Sequence, residues 1–225
     1  EGKELRAWVT ACSTGEEAYS LAMTFNDVLD EIRPQGHFSL QIFATDLDED
    51  AINIARQGNY PVNIEADVSP QQLDRYFTKN ESGYSVNKNI REMVIFAPQN
   101  IIMDPPFSKL DILTCRNLLI YFGPELQHKL IPLFHYVLPS PGILLLGNAE
   151  SIGNFTALFS QIGEHTRLFT RIDNPVTLTE VNFPTRLFPV ISLVENEPEL
   201  TRAMSIPINN LQMQADQIIL QNYAP

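Results

Sequence analysis

A strand–turn–helix unit that recurs along the chain reads as an α/β fold built on a mostly parallel sheet. Two such units follow each other directly at the start, giving a βαβα run. The rhythm is then interrupted by shorter, strand-like pieces and resumes after residue 110, which predicts a small β element inserted into the sheet domain. With 225 residues the chain suffices for one substantial α/β domain plus an appendage.

Each element has its own signal. Residues 5–12 are a short apolar strand candidate, and from Gly15 onward Ala18, Leu21, Ala22, Phe25, Val28, Leu29 and Ile32 recur at helical spacing up to Pro34. Residues 38–47 (FSLQIFATDL) read as a second strand, and 49–56 resume a helical pattern closed by Gly58. Ser69 followed by Pro70 predicts a capped helix over SPQQLDRYF. Residues 83–86 and 92–97 are short strand candidates around a polar turn, so the insertion is placed at about residues 60–98. A buried strand over 110–115 (LDILTC), a helix over 124–138, a strand over 142–147 (GILLLG), a helix over 151–162 and a last strand over 166–172 complete the domain, 1–173. Beyond it Pro175, Pro184, Pro189, Pro198 and Pro207 space out a stretch with no strong period until 211–220, so 174–225 reads as a linker running into a helix.

Composition excludes several classes of function. Apolar content of 44% with 19% charged residues is that of an ordinary globular protein, and no run approaches the roughly 20 apolar residues that span a bilayer. A net charge of −12 argues against a nucleic-acid partner, which needs clustered Lys and Arg. Cys12 and Cys115 have no CxxC partner, so neither a disulfide framework nor a zinc site is implied, and two free thiols suit the cytoplasm. His128 and His135 share a helix face but lack further ligands, so no metal site is expected. The start, EGKELRAW, has neither an initiator Met nor a signal pattern and predicts further residues upstream.

In an open parallel sheet the ligand sits at the carboxyl ends of the strands. Three predicted strands end there in polar residues: Ser13, Thr14 and Glu16 after the first, Asp46 after the second, Arg116 and Asn117 after 110–115. The first loop, ACSTGEEAYS, lacks two of the three glycines of a GxGxxG turn and puts Glu16 and Glu17 where a pyrophosphate would lie. No GxxxxGK[ST] occurs either. An acidic loop favours a cationic, phosphate-free ligand, and S-adenosylmethionine, with its sulfonium and ammonium, has that character. Asp46 stands where a carboxylate accepts ribose hydroxyls, although Asp46 and Asp48 are both also suited to cap the next helix. Glu16 and Glu17 also suit the first turn of a helix, where acids gain from the macrodipole.

Four motifs in order, ACSTGEEAYSLAM, FATDLDEDAINIARQGNY, SPQQLDRYF and LDILTCRNLLIYF, resemble those of the CheR family of chemotaxis protein methyltransferases over about residues 5–172. DPPFSKLDILTCRNLLIYFGPELQHKLIPLFHYVL with LLLGNAESIG is most similar to the domain in fused CheB and CheR sensor proteins, and ADQIILQNYAP resembles their helix leading into a PAS region. The resemblance implies a Rossmann-like class I S-adenosylmethionine methyltransferase fold with an inserted β-subdomain. It implies methyl transfer to glutamates of chemoreceptor cytoplasmic helices, with S-adenosylhomocysteine as product and no nucleic acid, metal or membrane insertion. By motif position Glu16 and Asp46 hold the cofactor, Asn100 with Ile101 and Asn117 with Leu118 flank it, and Tyr121 stands near the transferring methyl. Plainer roles exist for each: a turn cap for Asn117, an Asx turn for Asn100, a core aromatic for Tyr121.

A glutamate with a reference pKa of about 4.3 is already ionised at neutral pH, so the transfer needs no general base. Alignment of oxygen and methyl is the main task. Ala11 stands where the family usually has Gly, Ala18 where it has Pro, and Ile101 where it has Leu, all small changes expected to be tolerated. A family segment with a T-x-F-x-R motif that closes over the cofactor has no counterpart in these 225 residues, so weak binding by the chain alone is expected. The alternative function is a non-catalytic module that binds S-adenosylmethionine or S-adenosylhomocysteine within a larger sensor. Small-molecule methyl transfer is disfavoured by the inserted β element.

Overall fold

The computed structural model describes residues 2–173. The linker and helix read at 174–225 lie outside the described residues. In chain order the strands and helices are β1 (Lys3–Thr10), α1 (Glu16–Ile32), β2 (Phe38–Asp46), α2 (Glu49–Gln57), β3 (Asn59–Tyr60), α3 (Pro70–Tyr76), β4 (Phe77–Asn80), β5 (Gly83–Val86), α4 (Lys88–Arg91), β6 (Val94–Pro98), β7 (Ile112–Cys115), α5 (Pro124–Val137), β8 (Ile143–Leu146), β9 (Phe159–Gln161) and β10 (Leu168–Arg171).

Among the described residues a seven-stranded sheet has the order β6-β2-β1-β7-β8-β10-β9. β1 pairs in parallel with β2 on one side and β7 on the other, and only β10 runs against its neighbours. The chain thus leaves β1 outward to β2 and β6, then returns to β7 across the middle. That reversal makes the β1/β7 seam the switch point, where the helices diverge and a crevice opens at the carboxyl ends of the strands.

Side-chain alternation along β1 divides the core between the two faces. Ala7 and Val9 belong to one apolar cluster with Ile42, Ala44, Ile52 and Phe96. Trp8, between them, joins the other with Leu113, Phe134, Leu144 and Phe159. Its indole Nε1 donates to Thr45 Oγ1 at 2.9 Å, so burying this ring leaves no polar atom unpaired.

Helix ends follow local chemistry. Asp48 caps α2, accepting from the N–H groups of Asp50 and Ala51, and Gly58 closes it at φ 62°. Ser69 caps α3 by accepting from Gln72 N. These are the expected roles of an acid before a helix, a left-handed glycine after it, and a serine before Pro70.

Two sequence expectations need correction. The insertion is a three-stranded sheet, β3-β5-β4, and the strand read at 92–97 is not part of it. That segment forms β6, which pairs in parallel with β2 from Ile42↔Val94 to Asp46↔Pro98. Its short apolar run is equally compatible with a hairpin strand and a parallel edge strand, and pairing partners distant in sequence decided between them. The helix read at 151–162 is absent. Ile152, Phe155 and Leu158 are spaced by three, and the chain satisfies that spacing with consecutive turns, Phe155 N donating to Ile152 O and Leu158 N to Phe155 O. Gly153 sits at φ 56°, a left-handed conformation that an α-helix cannot continue through.

The insertion is fastened to α1 by polar contacts. Tyr76 Oη donates to Asp27 Oδ1 at 2.6 Å, and Arg75 ion-pairs with Asp27 and Asp30.

Candidate functional site

The loop between β1 and α1 reverses direction within five residues, and it does so with positive φ at Ala11 (51°), Ser13 (48°) and Gly15 (95°). Only glycine takes such angles without strain. The loop is held by its neighbours: Cys12 N donates to Thr45 O at 2.9 Å, and Ser13 N to Asp46 Oδ2 at 2.8 Å. Gly15 is also tightly packed, since a Cβ there would lie 3.0 Å from Ala55 Cβ and 3.1 Å from Phe96 Cζ and force both to give way.

From that loop α1 begins with Glu16 and Glu17. Thr14 Oγ1 lies 2.8 Å from each oxygen of Glu16, orienting this carboxylate at the mouth of the crevice. Glu17 pairs with Arg116 Nη1 through Oε2 at 3.2 Å, while its Oε1 is buried with no hydrogen-bond partner. A buried carboxylate oxygen without a donor is costly, and it marks a place where a ligand N–H would be welcome.

Asp46 ends β2. Its second oxygen accepts from Asp48 N at 3.0 Å. Since Asp48 caps α2, Asp46 is released from that duty and its carboxylate faces the crevice with lone pairs to spare.

On the far side, the loop after β7 turns at Asn117, with φ 59°. Asn117, Leu118 and Tyr121 line the same cleft as Ala11, Ser13, Glu16, Glu17, Asp46 and Arg116, a space of about 640 Å³. Tyr121 is 77% exposed, so it is a rim residue and not the core aromatic that was the plainer reading. Asn100 and Ile101 follow β6 and are not among the lining residues. Gln99 N donates to Asp46 O at 2.8 Å, which places them just past the end of β2. Asn100 Oδ1 accepts from Ile102 N and Met103 N, an Asx-type turn, and Ile101 packs on the second core cluster.

One residue escaped the sequence reading altogether. Glu150, 3% exposed, accepts four backbone N–H groups: Leu118 (2.8 Å) and Leu119 (2.7 Å) on Oε1, Asn117 (3.1 Å) and Gly147 (2.7 Å) on Oε2. The only clue in the sequence was an acid after the apolar run of β8, a pattern shared with many loops.

Cys12 lines the cleft and Cys115 is buried in the core at the end of β7, and neither thiol is activated as a nucleophile. Burial pushes the Cys12 thiol up to about 12, with Asp46 adding to the effect, and burial does the same to Cys115. Among the described residues no group of three side chains could hold a metal ion, and no helix is long and apolar enough to cross a membrane.

The family model for the CheR methyltransferase, SAM binding domain, matches residues 1–168. The chain belongs to this family. S-adenosylmethionine is the cofactor this CheR domain binds, and the sheet order with one reversed strand beside a switch-point cleft is the class I methyltransferase architecture. Among curated relatives, chemotaxis protein methyltransferase 1 of Pseudomonas aeruginosa is 35% identical over 156 residues, 68% of this chain and 57% of that protein. The chemotaxis protein methyltransferase of Escherichia coli is 34% identical over 170 residues, 72% and 57% of the two chains. An uncharacterized 104.1 kDa protein of Rhodobacter capsulatus is 39% identical over 168 residues, 75% of this chain but 17% of that protein. The CheR chain thus spans about three-fifths or less of each of these three relatives. Among solved structures, a TehB-like SAM-dependent methyltransferase from Corynebacterium glutamicum gives a TM-score of 0.42 at 11% identity, covering 74% of this chain and 78% of that one. PKMT2 from Rickettsia typhi in complex with AdoHcy gives 0.39 at 14% identity, covering 63% and 20%.

Proposed function

We propose that this CheR chain is the cofactor-binding part of a protein-glutamate O-methyltransferase acting on chemoreceptor cytoplasmic helices in the cytoplasm. The carrying observation is the charge of the cleft. Three carboxylates (Glu16, Glu17 and Asp46) face one guanidinium (Arg116), and Glu17 Oε1 is a buried acceptor with no donor. Such a wall repels phosphate and suits an ammonium, a sulfonium and ribose hydroxyls. In this reading Asp46 accepts from the ribose, Glu16 and Glu17 face the aminopropyl end, and Asn117 with Leu118 wall the opposite side. Asn100 and Ile101 stand toward the base.

When bound, S-adenosylmethionine supplies a methyl whose bond to sulfur breaks as a glutamate oxygen bonds to it, leaving S-adenosylhomocysteine and a glutamate methyl ester. The chain's own residues have no proton to move, because the substrate carboxylate is ionised at neutral pH. Their task is orientation, and fixed geometry alone can supply about 7–11 kcal/mol of a barrier. Tyr121, exposed at the rim, stands where a hydroxyl can meet the incoming carboxylate. The names of the chemotaxis relatives support a receptor substrate. The proposed division, a methyltransferase domain at 1–173 and a linker at 174–225, fits a multidomain sensor of fused CheB/CheR type, a reading supported by the match to part of a 104.1 kDa relative.

Two measurements test this. Calorimetry with S-adenosylhomocysteine should give binding that Asp46→Ala weakens at least tenfold, about 1.4 kcal/mol. Tritiated methyl transfer to receptor cytoplasmic fragments should label glutamates as esters, released as methanol in base. Binding without label marks a regulatory module instead, and label stable to base rules out the ester.

A further inference from the structure

We infer that Glu150 is the positioning residue of the cofactor cleft, an internal anion that sets where Asn117 and Leu118 stand. The inference rests on the reading of this cleft as the S-adenosylmethionine site.

The geometry begins with Asn117 at φ 59° and Leu118 at φ −112°, ψ −47°, a left-handed residue followed by a right-handed one. That pairing turns successive N–H groups toward one point, forming a concave nest that binds anions. In nucleotide enzymes such nests take phosphate. Here the N–H groups of Asn117, Leu118 and Leu119 converge on the Glu150 carboxylate, so the chain fills its own anion site and none is left for a ligand phosphate. The fourth N–H comes from Gly147, at the end of β8. One carboxylate therefore ties the loop after β7 to the loop after β8.

Two further observations show how closely this is built. Among the described residues Glu150 has no ion-pair partner, so the backbone alone compensates its charge. A Cβ on Gly147 would lie 2.6 Å from Glu150 Oε2 and 3.1 Å from Asn117 N and Oδ1, so a side chain there would have to displace the Glu150 carboxylate. The N–H groups of the nest are committed to Glu150, while Asn117 and Leu118 line the cleft. Loss of the anion leaves three converging N–H dipoles unsatisfied, and relief requires the loop to turn, carrying both cleft residues with it. Coupling of this kind is reciprocal: if Glu150 orders the cleft for the cofactor, the cofactor must order the Glu150 contacts.

The test uses this chain and S-adenosylhomocysteine. Glu150→Gln keeps the size but sets an NH₂ donor against N–H donors. With the variant folded by circular dichroism at low temperature, its Kd should rise at least tenfold. Ile90→Ala, fully buried on α4 in the other core cluster and not among the cleft's lining residues, serves as a control of comparable lost stability and should leave Kd within twofold. A folded Glu150→Gln that also binds within twofold of the parent overturns the proposal. If the variant does not fold, amide exchange on the unaltered chain decides. The ligand should shift the amides of Ser13, Glu16 and Asp46 and slow exchange at Gly147 and Leu119 together with Asn117 and Leu118. Shifts at the first three with unchanged exchange at Gly147 and Leu119 overturn the role of Glu150. Absence of shifts at the first three overturns the cleft reading and this role with it.

Discussion

The phenol of Tyr60 donates a hydrogen bond to the carbonyl of Thr14 at 2.9 Å, joining the inserted β-subdomain to the loop that carries Glu16. Tyr60 lies on β3 and is 8% exposed, and burial holds its hydroxyl protonated well above the ordinary tyrosine range. Thr14 in turn orients Glu16 through its own hydroxyl. Tyr60 of the insertion and Glu16 are thus linked through Thr14 by two successive hydrogen bonds.

Tyr60→Phe removes this one hydroxyl and leaves the Thr14 carbonyl without its donor. Stability in urea should fall by about 1 kcal/mol, the usual net worth of a hydrogen bond. S-adenosylhomocysteine affinity should fall several-fold in calorimetry, because the peptide that sets Glu16 is no longer anchored. An unchanged affinity would detach the insertion from the cofactor loop.

Ala11 sits at φ 51°, where the family usually has glycine. Left-handed backbone costs a non-glycine residue about 1–2 kcal/mol, whereas glycine pays about 0.4–1 kcal/mol through the freer unfolded chain. Ala11→Gly should therefore be neutral or stabilising by up to about 1.5 kcal/mol. Ala22→Gly, the same substitution inside α1, should cost at least about 1 kcal/mol. Chemical denaturation of the two variants side by side checks the contrast in sign.

Cys12 and Cys115 are buried, with thiols pushed up to about 12. At pH 8 the thiolate fraction is negligible, so an aromatic disulfide reagent should report no fast thiol in the native chain and two after unfolding. A fast-reacting thiol in the native chain would contradict the burial of one of these side chains.

His135 is 6% exposed, and burial lowers its pKa below the ordinary 6.5, against the opposing contact of Nε2 with Ile172 O at 2.9 Å. In the window between the lowered folded value and 6.5, the unfolded chain binds more protons than the folded one. Stability is therefore fully present above 6.5 and declines as pH falls through that window. Urea midpoints from pH 7.5 to 5.5 should drop, and His135→Gln should flatten that slope. A variant with the parent's slope assigns the decline to other groups.

How far the site could be read in the sequence depended on how local its chemistry is. Glu16 after Gly15, Asp46 at a strand end and Asp48 before a helix were legible because loop conformation, caps and strand termini are set within a few residues. Even there the choice between Asp46 and Asp48 as helix cap stayed open until the hydrogen bonds to Asp50 N and Ala51 N assigned it to Asp48. By residue type and position Glu16 and Glu17 read alike, and only the motif resemblance singled out Glu16. Their difference, an ion pair with Arg116 against a contact with Thr14, arises from a strand about 100 residues away, because the two residues are 99 apart.

The sequence by itself determined that this is an α/β chain with an acidic β1–α1 turn ill suited to phosphate, and its ordered motifs pointed to the CheR family. Periodicity and turn chemistry are local, and a motif survives being read in one dimension. Tertiary structure alone decided that Val94–Pro98 joins the parallel sheet, that residues 151–158 turn instead of forming a helix, and that the Glu150 carboxylate meets the N–H groups of Asn117, Leu118 and Leu119. For the first and the third the reason is distance along the chain. Backbone groups must find partners wherever the chain brings them, and strand neighbours 52 residues apart or a carboxylate facing N–H groups 31 to 33 residues away leave no trace in local pattern.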